Sequence, residues 1–145
     1  MDDDEAALLA LSEALQLRLH EAVIDTAVSC ESAVEHLRSQ MYGVIISDVV
    51  MPGHDGLAGL AFLNAVQQLC PEVPMILVTG HPGHEEAALC AGAYAFLDKP
   101  FNMTQLISVI RSALERRHLQ RRLRERNEAS LSDLRMALFL SRQPV

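Results

Sequence analysis

Asp48 ends a run of apolar residues, Val44-Ile45-Ile46-Ser47-Asp48. Thr79 and Lys99 follow two more such runs, Met75-Ile76-Leu77-Val78 and Tyr94-Ala95-Phe96-Leu97-Asp98, and an acidic group, Asp2-Asp3-Asp4-Glu5, opens the chain. Magnesium takes hard oxygen ligands, one or two carboxylates together with water and phosphate oxygens. Asp3 and Asp48, with Asp2 acting through water, suit it. With metal offsetting the repulsion between carboxylates, Asp48 can attack a phosphoryl group as an oxygen nucleophile and form an acyl phosphate. Lys99 would pair with one phosphoryl oxygen, and the Thr79 hydroxyl would donate to another.

These residues must be brought together by strands that end at one edge of a sheet. Residues 4–19 read as a helix with its acids at the N-terminal end. Residues 22–27 read as a strand, 31–40 as a second helix, and 44–48 as the next strand. A helix over 57–69 stops at Cys70-Pro71 and Pro74. The Met75 strand, a short helix over 85–91, the Tyr94 strand and a long helix follow. The core face of that last helix is Leu106, Ile107, Ile110, Ala113 and Leu114. Strands alternating with helices at this spacing indicate βα units and a parallel sheet. In such sheets ligands bind beyond the strand ends.

The length, 145 residues, half of them apolar, suits one domain with an appendage. Cys30, Cys70 and Cys90 have no paired spacing, which points to reduced thiols of a cytosolic protein. No apolar run approaches the roughly 20 residues of a membrane span, and the acidic start lacks the basic region of a secretory signal. A cytoplasmic protein is expected. The net charge of −7 conceals an asymmetry. Residues 1–110 carry fifteen acids against three bases, and residues 111–145 nine bases against four acids. Among the histidines, His81 and His84 in a loop have the only spacing that suggests ligands, and most of the six are expected on the surface.

The ordered set of motifs closely resembles the receiver domain of bacterial two-component response regulators, a CheY-like family. It comprises Asp2-Asp3, the stretch Ile46-Ser47-Asp48-Val49-Val50-Met51-Pro52-Gly53-His54-Asp55-Gly56, Ile76-Leu77-Val78-Thr79-Gly80, and the stretch from Ala91-Gly92-Ala93 to Lys99-Pro100-Phe101. The resemblance implies a flavodoxin-like, doubly wound parallel sheet of order 2-1-3-4-5, over residues 1–117. It implies Asp48 as the phosphoacceptor in a phosphorelay, fed by a sensor histidine kinase or phosphotransfer protein. Asp2, Asp3, Asp48 and the Val50 carbonyl would hold Mg2+ or Mn2+. Thr79 and Lys99 would contact the phosphoryl group, with a cis bond between Lys99 and Pro100. Thr79 and Phe96 would switch the face made by the fourth helix, fifth strand and fifth helix. Val50 and His81 would flank the attacking water and tune dephosphorylation. Such a module is a switch rather than an enzyme, with only self-phosphorylation and slow acyl-phosphate hydrolysis.

The chain departs from the family at its start, where only Met1 precedes the acids, so the first strand is largely absent. Five buried residues at about 1.5–3 kcal/mol each rival the whole stability of about 5–15 kcal/mol expected of a domain. A late start or fragment is the leading reading, ahead of a naturally reduced receiver and of a strand supplied by another chain. The stretch between Thr79 and Lys99 is also about two residues shorter than is usual in the family. Residues 118–145 read as an arginine-rich helical linker with weak coiled-coil character. A short amphipathic tail follows, opened by a capping signal at Ser130-Leu131-Ser132-Asp133. That region is a candidate homodimer contact. It lacks the fold and interleaved aromatics that would aim it at nucleic acid. Two rival functions remain: a non-phosphorylated pseudo-receiver that dimerises, and a haloacid-dehalogenase-type phosphatase. The phosphatase reading suffers from Val50, which stands where that family needs a second aspartate. A one-residue slip would make Asp3-Asp4 the acidic pair.

Overall fold

A computed structural model of the chain describes residues 1–51 and 57–140, with side chains through residue 131. The motif residues Pro52, Gly53, His54, Asp55 and Gly56 therefore lie outside the described residues. The elements run α1 (Glu5–Gln16), α2 (Cys30–Ser39), β1 (Ile45–Asp48), α3 (Ala58–Leu69), β2 (Met75–Thr79), α4 (Glu85–Cys90), β3 (Ala95–Asp98) and α5 (Met103–Leu140). Among the described residues the sheet has three strands, all parallel, in the order β1-β2-β3. These correspond to the last three strands of the expected five.

The central strand β2 is buried along its whole length, as befits a parallel strand covered on both faces. Its side chains alternate between two cores. Met75 and Leu77 pack with Val49, Phe62, Leu63 and Val66, the layer that α2, α3 and α4 cover. Ile76 and Val78 pack with Leu15, Leu97, Leu106, Ile107 and Ile110, beneath α1 and α5. Asp4 caps α1, its carboxylate accepting from the amides of Ala6 and Ala7. Ser29 caps α2 through the Ser32 amide.

Two expectations are corrected. Residues 22–27 belong to no strand. The local alternation of apolar and polar residues is strand-like, but a strand exists only where a neighbour takes its N–H and C=O groups. A cavity of about 380 Å3, bordered by Ala22, Val23, Ile24, Val44 and Ile46, separates this segment from β1. The second correction concerns α5, a continuous helix of 38 residues that runs through Ser130 without a new start. From Met103 to Leu140 there is no glycine or proline to interrupt it, so the capping pattern is read over. Leu106, Ile107, Ile110 and Ala113 are buried as expected, whereas Leu114 is 38% exposed.

The Lys99-Pro100 bond is cis. Gly59, at the start of α3, is the tightest approach between a helix and the sheet. Its amide donates to Val49 O at 3.0 Å, and a Cβ there would press on the Asp48 carbonyl oxygen and lie 2.7 Å from Val49 Cα. Alanine would favour an exposed helix by about 1 kcal/mol. At Gly59 the overlap with backbone outweighs this, and Gly59→Ala is expected to destabilise by about 1–3 kcal/mol. Chemical denaturation checks the sign.

Candidate functional site

Because β1, β2 and β3 are parallel, Asp48, Thr79 and Lys99 arrive at the same edge of the sheet. The register pairs Asp48 with Val78 and Thr79 with Asp98, and the Lys99 amide continues the ladder to Thr79 O at 2.7 Å. The acidic residues at the start of the chain are brought in by a short tether. The Met1 ammonium donates to Ile46 O at 2.7 Å, the Asp48 amide donates to Met1 O, and the Asp2 amide donates to Ala27 O. Asp2 is therefore fixed between β1 and residue 27.

The Lys99 ammonium closes the arrangement. It lies 2.9 Å from Asp2 Oδ2 and 2.7 Å from Asp48 Oδ2. Burial alone would lower its pKa, but the hydrogen bonds and charges of Asp48 and Asp2 outweigh that and hold it above its ordinary value. Each carboxylate has a second oxygen fixed by backbone. Asp2 Oδ1 accepts from the Asp4 amide and Asp48 Oδ1 from the Val50 amide, both at 3.0 Å. Burial drives the Met1 amine down to about 6, against the charges of Asp2 and Asp48.

Other expected residues fall into place around this core. Thr79 is wholly buried, and its Oγ1 accepts from the His81 amide at 3.1 Å. His81 itself is exposed, Val50 half-buried, and Phe96 half-buried against the core of the α2–α3 side. Asp3 is exposed. Among the described residues no three Asp, Glu, His or Cys side chains are grouped closely enough to hold a metal, so Asp3 is not gathered with Asp2 and Asp48. Asp4 serves as the α1 cap, which excludes it from the acidic pair in this structure. The donor chemistry of Asp2 and Asp48 still fits magnesium: both are carboxylates held in place by backbone amides. The competitor is Lys99, which neutralises the same two carboxylates.

Sequence reasoning missed Gly59 and Ser47. Ser47 is buried and its hydroxyl donates to Asp48 O at 2.8 Å. Together they shape the backbone that carries Asp48. A glycine at the first turn of an otherwise apolar helix is the signal that could have marked the close approach.

A parallel α/β sheet with an acid, a hydroxyl and an ammonium at the C-terminal ends of successive strands is the architecture of a receiver module. Residues 1–111 match the family model of the response regulator receiver domain, and the chain belongs to that family. It is 37% identical over 139 residues to the C4-dicarboxylate transport transcriptional regulatory protein DctD of Rhizobium meliloti, covering 92% of this chain and 29% of that protein. The chain thus spans under a third of the length of that curated relative. The receiver domain of NtrX from Brucella abortus superposes with a TM-score of 0.69 at 29% identity, over 79% of this chain and 94% of that one. A CheY-like receiver domain from Methanospirillum hungatei shares the fold, with a TM-score of 0.72 at 24% identity over 82% of this chain and 93% of that one. Receiver domains are typically non-enzymatic signalling modules that partner a histidine kinase and use Mg2+. Among the described residues no helix is long and apolar enough to cross a membrane.

Replacing Lys99 by glutamine leaves two fixed carboxylates facing each other. Because Lys99 is about one-third exposed, the cost is discounted to about 1–2 kcal/mol. The loss should shrink when Asp48→Asn accompanies Lys99→Gln, and a double-mutant cycle by chemical denaturation measures the coupling.

Proposed function

We propose that this chain accepts a phosphoryl group on Asp48 from a sensor histidine kinase or a phosphotransfer protein in a cytoplasmic phosphorelay. The observation that carries this reading is the Lys99 ammonium, which spans Asp48 and Asp2 at the sheet edge. Asp48 Oδ2 attacks phosphorus while the phosphorus–nitrogen bond to the donor imidazole breaks, and the bond's electron pair stays on that nitrogen, so the donor leaves as neutral imidazole with the proton its other ring nitrogen already carried. The product is an acyl phosphate. Lys99 exchanges its hold on the Asp48 carboxylate for a phosphoryl oxygen, and the Thr79 hydroxyl turns from the His81 amide to donate to another. Asp2, Asp48 and the Val50 carbonyl, with Asp3 from the adjoining turn, would hold Mg2+ or Mn2+. When bound, the cation supplies charge neutralisation at the phosphoryl oxygens.

Withdrawal of Thr79 from its loop contact frees space towards β3, into which Phe96 rotates. The face formed by α4, β3 and α5 then presents a different surface to a partner. Residues 1–117 make the receiver, and residues 118–145 a linker and tail that serve a homodimer. Leu119, Leu123 and Leu131 are exposed on that extension and support such a contact.

The test is treatment of the purified chain with Mg2+ and acetyl phosphate or beryllofluoride, with intact mass and thermal melting as readouts. One phosphoryl adduct and a raised melting temperature are expected, and both should vanish in Asp48→Asn. A silent wild-type chain whose fold is intact would favour the non-phosphorylated interaction module instead.

Dephosphorylation gives a separate prediction. Apolar Val50 beside Asp48 cannot hydrogen-bond the attacking water. Val50→Asn should hasten acyl-phosphate loss by about tenfold, roughly 1.4 kcal/mol of barrier. An unchanged decay of the phosphorylated mass would refute that role for Val50.

A further inference from the structure

The opposite edge of the sheet, where the strands begin, carries a second concave site. A cavity of about 300 Å3 lies beneath the starts of β2 and β3, between the α3–β2 loop and the middle of α5. Met75, in its wall, stands about 13 Å along β2 from Thr79. The floor is apolar, with Leu63, Val66 and Met75. The polar groups come from α5, where Gln120 follows Arg116 and Arg117 by about one turn. Small-ligand sites have this make-up, an apolar hollow with a few convergent polar groups, and about 300 Å3 is at the lower end of their size.

Arg117 is the member of this wall whose charge is unmatched. Its Nε is buried and has no hydrogen-bond partner among the described residues. A buried donor without a partner is costly, so its retention calls for an acceptor. The neighbouring side chains do not supply one. Glu72 is drawn to Arg124, at 3.5 Å, and among the described residues no carboxylate lies within ion-pair distance of Arg117. Burial pushes the Cys70 thiol up, against the charge of Arg117, so that thiol is no anion at neutral pH. Arg116 is engaged by the Tyr94 ring at 5.5 Å. The Arg117 guanidinium is also held in place: a Cβ at Gly43 would lie 3.8 Å from its Nη1.

We propose that this cavity binds a small organic acid, its carboxylate on the Arg117 guanidinium and its apolar body against Leu63, Val66 and Met75. A guanidinium fork matches a planar carboxylate through two parallel hydrogen bonds. One unmatched guanidinium calls for one anionic group, and Glu72, which also borders the cavity, repels a second. The apolar floor favours an acid with a hydrocarbon body over a bare inorganic anion, which has nothing to bury there. Bound in this way, the acid bridges α5 and the α3–β2 loop and holds the long helix to the domain. This inference goes beyond the phosphoryl reading and does not depend on it, because the residues it uses lie at the other end of the strands from Asp48.

Titrating the full chain with benzoate and with hexanoate tests this, read by NMR at the Arg117 Nε–H and at the Val73 and Tyr94 amides. Benzamide serves as the uncharged control and inorganic phosphate as the anion without an apolar body. At least one of the two acids should give saturable shifts with a Kd of about 1 mM, within reach of ligands of about eight or nine non-hydrogen atoms. The Asp48 and Thr79 amides should stay in place, and Asp48→Asn should bind the acid as the parent chain does, which separates this result from the fate of the phosphoryl reading. Arg117→Met keeps the stem and removes the guanidinium. It should weaken binding at least about tenfold without lowering the melting temperature of the ligand-free chain. Where Arg117→Met loses its fold, Arg117→Lys gives the same decision: it keeps the charge without the fork and should weaken binding at least about threefold. The proposal is overturned by the lack of a saturable shift with both acids up to about 20 mM, by equal affinity for benzamide or for phosphate, or by a folded Arg117→Met chain that binds as well as the parent.

Discussion

Two carboxylates held near one another at the edge of a sheet are unstable unless a cation lies between them, and here that cation is Lys99. It bonds Asp2, 97 residues away in sequence, and Asp48, 51 residues away. The contact therefore joins the start, middle and end of the domain. Every other feature of the site serves to deliver these three groups. Parallel strands bring Asp48 and Lys99 to one edge, the tether at Met1 delivers Asp2, and glycine at position 59 lets α3 come close enough to seal the β1 terminus.

The same contact bears on the proposed switch. A salt bridge that satisfies both partners would be inert if nothing competed with it. A phosphoryl group on Asp48 is a stronger partner for an ammonium than a carboxylate, since it brings more charge and more acceptor oxygens. Lys99 can change partners with little displacement because it is already adjacent. Thr79 is in a similar position: its hydroxyl oxygen is occupied by a single loop amide, a bond of modest net worth that a charged acceptor can replace. A two-state element of this kind needs only a few kcal/mol of differential contact to change its population.

Much of this was legible in the sequence because it is local. Apolar runs closed by Asp48, Thr79 and Lys99 declare strands and their ends together, and in a parallel sheet ends must converge. The helices α1 to α4 followed from periodicity and proline stops, to within a residue or three at most boundaries. What was not legible depends on partners. Residues 22–27 carry a half-buried alternation, yet pairing requires a neighbour that local pattern does not reveal. The close approach at Gly59 depends on how α3 crosses β1. The choice between Asp2 and Asp3 turns on which carboxylate the Met1 tether points inward, a matter of single-residue phase. Ser130-Leu131-Ser132-Asp133 has the composition of a helix start, but in a chain without a breaker the helix already under way continues through it.

The long helix α5 shows how the two charge regimes meet. Its inner portion is held by burial of Leu106, Ile107, Ile110 and Ala113. Past that stripe its attachments to the domain include two by arginine: Arg116 over the Tyr94 ring at 5.5 Å and the exposed pair Arg124 to Glu72 at 3.5 Å. Exposed contacts of this sort contribute little stability. The pairs Arg121–Glu125 and Arg124–Glu128, at 3.7 and 3.9 Å, support the helix itself more than its docking. Every residue from 118 to 131 is exposed, and helices in water owe most of their stability to packing of one face. Leu119 and Leu123, four residues apart, supply the apolar edge such packing would use. A helix anchored in the proposed switching face at one end and carrying an uncovered edge at the other is suited to couple the two. A change in how α5 sits on β3 would be transmitted along a continuous backbone to whatever covers Leu119 and Leu123.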